Sequence, residues 1–171
     1  FTASGIAKLA WSCARLGFPD RPLLESIASA ARASLRPYDV QSISNLAWAV
    51  ATLEFPDGPL RAAIAAASIA KISAFSDQGL ANTAWAYAKL GVEDAPLRHA
   101  LSAAAIRTIS QFQATGLSSM AWSWASLRFD DGPLRAAISS ASLPSISEFN
   151  ARHIGNTAWS CARLEVLDQP L

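Results

Sequence analysis

The side chains best suited to chemistry in this sequence are short amides, hydroxyls and cations that return at a fixed interval. Gln41 and Asn45, Gln78 and Asn82, Thr115 and Ser119, and Arg152 and Asn156 are four pairs, each pair 37 residues after the one before. Lys8, Arg15, Lys89 and Arg163 fall in the same scheme. Such groups recognise rather than transform: Asn and Gln match the donors and acceptors of base edges, while Lys and Arg hold phosphates. Bond-making chemistry has much less to draw on. His99 and His153 occupy unrelated columns of the repeat, and no Ser-His-Asp, Cys-His or paired-carboxylate group recurs, so the chain is not expected to be an enzyme. With two histidines, two cysteines and no glycine-rich phosphate loop, no zinc, nucleotide or redox cofactor is expected.

The interval itself defines the architecture. Trp11, Trp48, Trp85, Trp122 and Trp159 are each separated by 37 residues, with alanine immediately before and three residues after every one. Leu16, Leu53, Leu90, Leu127 and Leu164 keep this step, as do Asp20, Asp57, Asp94, Asp131 and Asp168, and then Pro22, Pro59, Pro96, Pro133 and Pro170. A period of this length without insertions marks a repeat array.

Each unit reads as two helices. Helix A, typified by Asp77 to Leu90, has Ser76 or Asp77 to cap its start and Gly91 to end it. Helix B begins at the proline, which suits a first helical position, and continues through Leu60, Ile64, Ile69, Ile72 and Phe75. The expected fold is all-α, a right-handed α-solenoid with five A helices near 3–16, 40–53, 77–90, 114–127 and 151–164 and four complete B helices between them. Residues 1–171 form a single solenoid segment of about 4.6 repeats. Phe1 falls in the column of Tyr38, Phe75, Phe112 and Phe149, and Leu171 stops where a fifth B helix would start, so the segment is expected to belong to a longer array.

Composition agrees with a packed array. Hydrophobic residues make up 51% and charged residues 16% of the 171, which excludes disorder. The longest uncharged stretch, Thr108 to Leu127, is interrupted by polar residues, and no membrane insertion is expected. A net charge of +1 gives no global field, so any electrostatic signal must be local.

At about 100° per residue, the positions seven before, three before, one after and four after each tryptophan share one stripe of helix A. Its members include Lys8, Arg15, Gln41, Asn45, Gln78, Asn82, Lys89, Thr115, Ser119, Arg152, Asn156 and Arg163, with five cations and no acid. Nine of the thirteen carboxylates lie instead in the A-to-B turns. The stripe is therefore the candidate single-stranded RNA surface, with the alternative that Asn45, Asn82, Ser119 and Asn156 form a hydrogen-bonded ladder between A helices. The tryptophan column, set among alanines, is expected to be largely buried between helices A and B, and Trp124 to be core. Cys13 and Cys161 are expected to be buried and too far apart to pair.

The helix A core Gly79-Leu80-Ala81-Asn82-Thr83-Ala84-Trp85-Ala86-Tyr87-Ala88-Lys89-Leu90-Gly91 resembles the octotricopeptide and heptatricopeptide repeats, relatives of the pentatricopeptide repeats. The likeness covers essentially the whole chain, and its Ala-Trp-Ala element returns as Ala47-Trp48-Ala49. It implies binding of messenger or ribosomal RNA in mitochondria or plastids, in RNA processing, stability, translation or ribosome assembly, together with other proteins of a larger assembly. The alternative is an armadillo-like protein-interaction scaffold, which also displays Trp and Asn on an inner face.

Overall fold

The computed structural model of the chain describes residues 2–33 and 35–164. Phe1, Glu165, Asp168, Pro170 and Leu171, which the repeat assigns to columns, lie outside the described residues. Among the described residues nine α-helices follow one another: α1 (Ala3–Leu16), α2 (Arg21–Ala33), α3 (Val40–Thr52), α4 (Gly58–Ala70), α5 (Asp77–Lys89), α6 (Ala95–Thr108), α7 (Ala114–Ser126), α8 (Gly132–Ser142) and α9 (Ala151–Arg163). No strand occurs among the described residues. The odd-numbered A helices pack in series, each on the next, and the even-numbered B helices form a second row behind them. This is a helical repeat, with α1, α3, α5, α7 and α9 within two residues of the expected bounds.

The sequence columns explain the joints. At the end of four A helices the chain closes a left-handed turn at Gly17, Glu54, Gly91 and Arg128. In each, the next residue's N–H donates five residues back, Phe18 to Cys13, Phe55 to Val50, Val92 to Tyr87 and Phe129 to Trp124, which satisfies carbonyls that the helix end would orphan. The aspartate column then starts the B helices. Asp20, Asp57, Asp94 and Asp131 accept hydrogen bonds from the N–H groups of Leu23, Leu60, Leu97 and Leu134, at 2.8, 2.7, 2.9 and 3.0 Å. Two of these caps also tie neighbouring repeats: Arg32 of α2 donates to Asp57 at 2.5 Å, and Ser102 of α6 donates to Asp131.

Two expectations about helix B change. In α4, α6 and α8 the helix starts one residue before the proline, which takes the second helical position, because the aspartate cap fixes the start. The apolar stripe through Ile72 and Phe75 is not one continuous helix either. α4 ends at Ala70, a 3-10 turn spans Ile72–Ala74, and Phe75 is extended. The ring of Phe75 then lies under α5, where a Cβ on Gly79 would stand 3.1 Å from it, closer than ordinary van der Waals contact.

The core runs between the rows. Leu60, Ile64, Leu80, Leu97, Leu101, Leu117 and Leu134 are almost fully enclosed. Between A helices the contacts are small: Ala47, Ala49 and Ala51 of α3 and Ala84, Ala86 and Ala88 of α5 are all buried, and small side chains let helix axes approach closely. Trp124 is core, as expected, at 4% exposure. Tyr87 donates its hydroxyl to the Arg61 carbonyl at 2.6 Å, joining α5 to the preceding B helix, and burial pushes its pKa well above the usual phenol value. Cys13 is buried but Cys161 is exposed, contrary to expectation, because no described B helix covers that side of α9.

Candidate nucleic-acid interface

The tryptophan column does not lie buried between the A and B rows. Trp11 and Trp159 are each 41% exposed, and Trp48, Trp85 and Trp122 are half-buried. The indoles stand beside one another on the A row. Ring centroids are 6.4 Å apart for Trp11 and Trp48, 6.5 Å for Trp48 and Trp85, and 6.2 Å for Trp122 and Trp159, with interplanar angles of 39°, 26° and 27°. The flanking alanines do not make a pocket for the indole. They let neighbouring A helices close up, which brings successive indoles together.

Next to this ladder lies an open cavity of about 450 Å³, lined by Lys8, Trp11 and Arg15 of α1, Gln41, Asn45 and Trp48 of α3, and Gln78 and Asn82 of α5. Six of the twelve expected site residues thus meet across three helices, with two indoles and no acid in the lining. A smaller cavity of about 210 Å³ continues from Gln41, Asn45, Gln78 and Asn82 toward Phe75. Lys89, Thr115, Ser119, Arg152, Asn156 and Arg163 sit outside the larger cavity on α5, α7 and α9. All twelve are exposed or half-buried.

The ladder of amides considered as an alternative is not formed. Among the described residues no hydrogen bond joins the side chains of Asn45, Asn82, Ser119 and Asn156. Asn45 and Asn82 line the cavity, and Ser119 and Asn156 are half-buried on α7 and α9. Thr115 differs, since its hydroxyl lies 3.2 Å from His153 Nε2. His153 Nδ1 accepts from the Asn150 N–H in a capping box, so Nε2 carries the proton of the neutral ring and donates to Thr115.

One column of the expected stripe turns inward. Ala49, Ala86, Ser123 and Ser160, each one residue after a tryptophan, are buried, while Ser12 at the same position of α1 is exposed, and the hydroxyls of Ser123 and Ser160 donate to the carbonyls of Ser119 and Asn156 within their own helices. The accessible arc narrows to about 60° and takes in the tryptophan itself.

Three of the tryptophans carry a cation one helical turn further on within that arc. The guanidinium of Arg15 lies 5.6 Å from the ring centre of Trp11, the ammonium of Lys89 5.4 Å from that of Trp85, and the guanidinium of Arg163 5.3 Å from that of Trp159. These are cation–π pairs one helical turn apart. Sequence reasoning missed this pairing, although the four-residue spacing between each tryptophan and its cation was available to it. On α3 and α7 the same position carries Thr52 and Ser126, whose buried hydroxyls have no partner among the described residues.

Acids mark the rims rather than the floor. Glu54, in its left-handed turn, comes within 3.8 Å of Lys89. Asp39 caps α3, and its carboxyl is held below the usual range, first by the Ser42 N–H that it accepts and to a smaller extent by Lys71 and Lys8. Among the described residues no three His, Cys, Asp or Glu side chains gather in a way that could hold a metal ion, and no helix is long and apolar enough to cross a membrane. No protein-family model matches the chain, and no curated protein matches it in sequence.

Proposed function

We propose that the chain is a segment of a right-handed α-solenoid of 37-residue hairpins that binds single-stranded RNA along the exposed arc of its A helices. One observation carries this reading. An acid-free cavity places unpaired amides beside half-exposed indoles and two cations, the combination that single-stranded nucleic acid uses for base edges, base faces and phosphates. Lys8, Arg15, Lys89, Arg152 and Arg163 hold the backbone. Gln41, Asn45, Gln78, Asn82, Ser119 and Asn156 read bases, about one nucleotide per repeat. Thr115 contributes through its hydrogen-bonded pair with His153.

The resemblance to octotricopeptide and heptatricopeptide repeats supports a place in mitochondrial or plastid gene expression, on messenger or ribosomal RNA and with other proteins of a larger assembly. Crosslinking in cells followed by sequencing of attached RNA tests the reading, alongside a variant with all five cations replaced by alanine. The reading expects short single-stranded crosslinks that this variant loses. No crosslinks, together with partners unchanged in the variant, would replace it with the protein-scaffold reading.

A further inference from the structure

We propose that this surface grips the RNA backbone at every second nucleotide, because its phosphate clamps recur every two repeats, at twice the period of the fold. This rests on the RNA-binding reading and adds the pattern of backbone contacts.

The distribution of charge carries it. All five cations of the arc stand on α1 (Lys8, Arg15), α5 (Lys89) and α9 (Arg152, Arg163). The A helices between these bring no charge to it: α3 supplies Gln41, Asn45 and Thr52, and α7 supplies Thr115, Ser119 and Ser126. The position four residues after the tryptophan shows the alternation most directly. Arg15, Lys89 and Arg163 fill it on α1, α5 and α9, each beside its own indole. Thr52 and Ser126 fill it on α3 and α7, and their hydroxyls are buried, so they offer a phosphate neither charge nor an accessible donor. Glu54 stands 3.8 Å from Lys89, in an exposed pair weak enough for a phosphate to displace. Arg128 lies beyond the end of α7, in its left-handed turn and outside the arc.

The double period is not confined to the cations. Residues 10–16 return unchanged as 158–164, four repeats on, and residues 57–64 return unchanged as 131–138, two repeats on. The residue that turns the chain after helix A alternates as well, with Gly17 and Gly91 against Glu54 and Arg128. The amides do not follow this alternation, since Gln41 with Asn45 and Gln78 with Asn82 occupy adjacent repeats and line one cavity. At one nucleotide per repeat, base readers therefore stand at consecutive nucleotides, while clamps meet only alternate phosphates.

Three oligouridylates of about ten nucleotides test the spacing. One is fully charged, one has a neutral methylphosphonate at every second linkage, and one has the same number of neutral linkages placed in adjacent pairs. A uniform base sequence lets each strand slide to its best register. The alternating strand then meets the clamps of all three helices, whereas the paired strand meets those of two at most. Each phosphate contact carries a salt slope of about 0.7, so the alternating strand should bind about fivefold more tightly than the paired strand at about 0.1 M salt, with the gap closing toward about 1 M. Lys89→Ala leaves clamps on α1 and α9 alone, a spacing that the paired strand also satisfies, so the difference should vanish. Thr52→Lys adds a clamp on α3 and should remove the difference by strengthening the paired strand. Alternating and paired strands bound alike by the unaltered protein, with the fully charged strand bound, would overturn the alternate grip and leave RNA binding intact. A fully charged strand that fails to bind at low salt would overturn the RNA reading and the grip with it. If Thr52→Lys loses its helical circular dichroism, the unaltered protein and Lys89→Ala decide.

Discussion

Four equivalent helix ends carry two glycines and two residues that should resist the same conformation. Gly17 and Gly91 turn at φ of 61° and 62°, and Glu54 and Arg128 at 51° and 52°. A side chain in this left-handed region costs about 1–2 kcal/mol, and a glycine there loses about 0.5–1 kcal/mol of that advantage to the greater freedom of its unfolded chain. Replacing Arg128 by glycine should therefore stabilise by about 0.5–1 kcal/mol. Glu54→Gly should gain slightly less, because it removes the 3.8 Å contact to Lys89, an exposed pair worth a few tenths of a kcal/mol at most. The two turns lie two repeats apart and should add, to a total of about 1–2 kcal/mol and a melting point about 2–8 °C higher for a chain of this size. The reverse substitution is equally informative. No atom lies within 4 Å of a Cβ built on Gly91, so Gly91→Ala isolates backbone strain from any clash and should destabilise by about 1 kcal/mol. Thermal and urea unfolding followed by helical ellipticity measure both. A neutral Gly91→Ala together with a destabilised Arg128→Gly would refute the account and show that contacts of the Arg128 side chain, not the turn conformation, set the energy of this joint.

Trp85→Ala, at a half-buried ring, should cost about 1–2 kcal/mol in urea unfolding, whereas Trp124→Ala, at a core position, should cost about 3–5 kcal/mol. Asp94→Ala removes the acceptor of the Leu97 N–H and should cost about 1 kcal/mol, with Asp94→Asn restoring most of it. Because the Asp39 carboxyl titrates below its unfolded value of about 3.9, the stability it lends is present above that pH and lost as pH falls through the folded value. Asp39→Asn should therefore flatten the decline of stability on the acid side of about pH 4. Arg163→Ala should weaken binding of all RNA sequences alike and reduce the log–log salt slope by about 0.7, while Asn82→Ser should change preference at one base only, both read by fluorescence anisotropy across a salt series.

Helix order and bounds were legible because each joint is written in a fixed column. The aspartate caps, the residue that ends helix A and the aromatic before the next helix repeat every 37 residues, so several weak local signals reinforce one another. The indoles were harder to place. Asn45 and Trp48 lie about 60° apart on the helix circumference, and Gln41 and Trp48 only about 20° apart, so the ring stands at the margin between polar stripe and apolar flank. Its alanine neighbours suggest burial on a single helix. Their effect appears only with a second helix alongside, when Ala47 and Ala84 vanish into the A–A contact and the rings meet above it. Ser123 and Ser160 show the converse: polar in sequence, they are hidden at the other margin, with hydroxyls satisfied within their own helices. A helical wheel describes one helix, whereas the position of the groove is a property of pairs.

The ladder also has an optical consequence. Rings 6.2 to 6.5 Å apart are close enough for their excited states to interact, and interplanar angles of 26° to 39° keep the coupled transition dipoles from being parallel. Coupled, mutually inclined chromophores rotate light in paired bands of opposite sign. The A row should therefore carry an indole exciton signal to which Trp124, which pairs with no other aromatic ring among the described residues, contributes little. Any ligand that parts the rings or changes their tilt alters that signal without a label, so the array carries its own spectroscopic gauge of whether its tryptophans are together or apart.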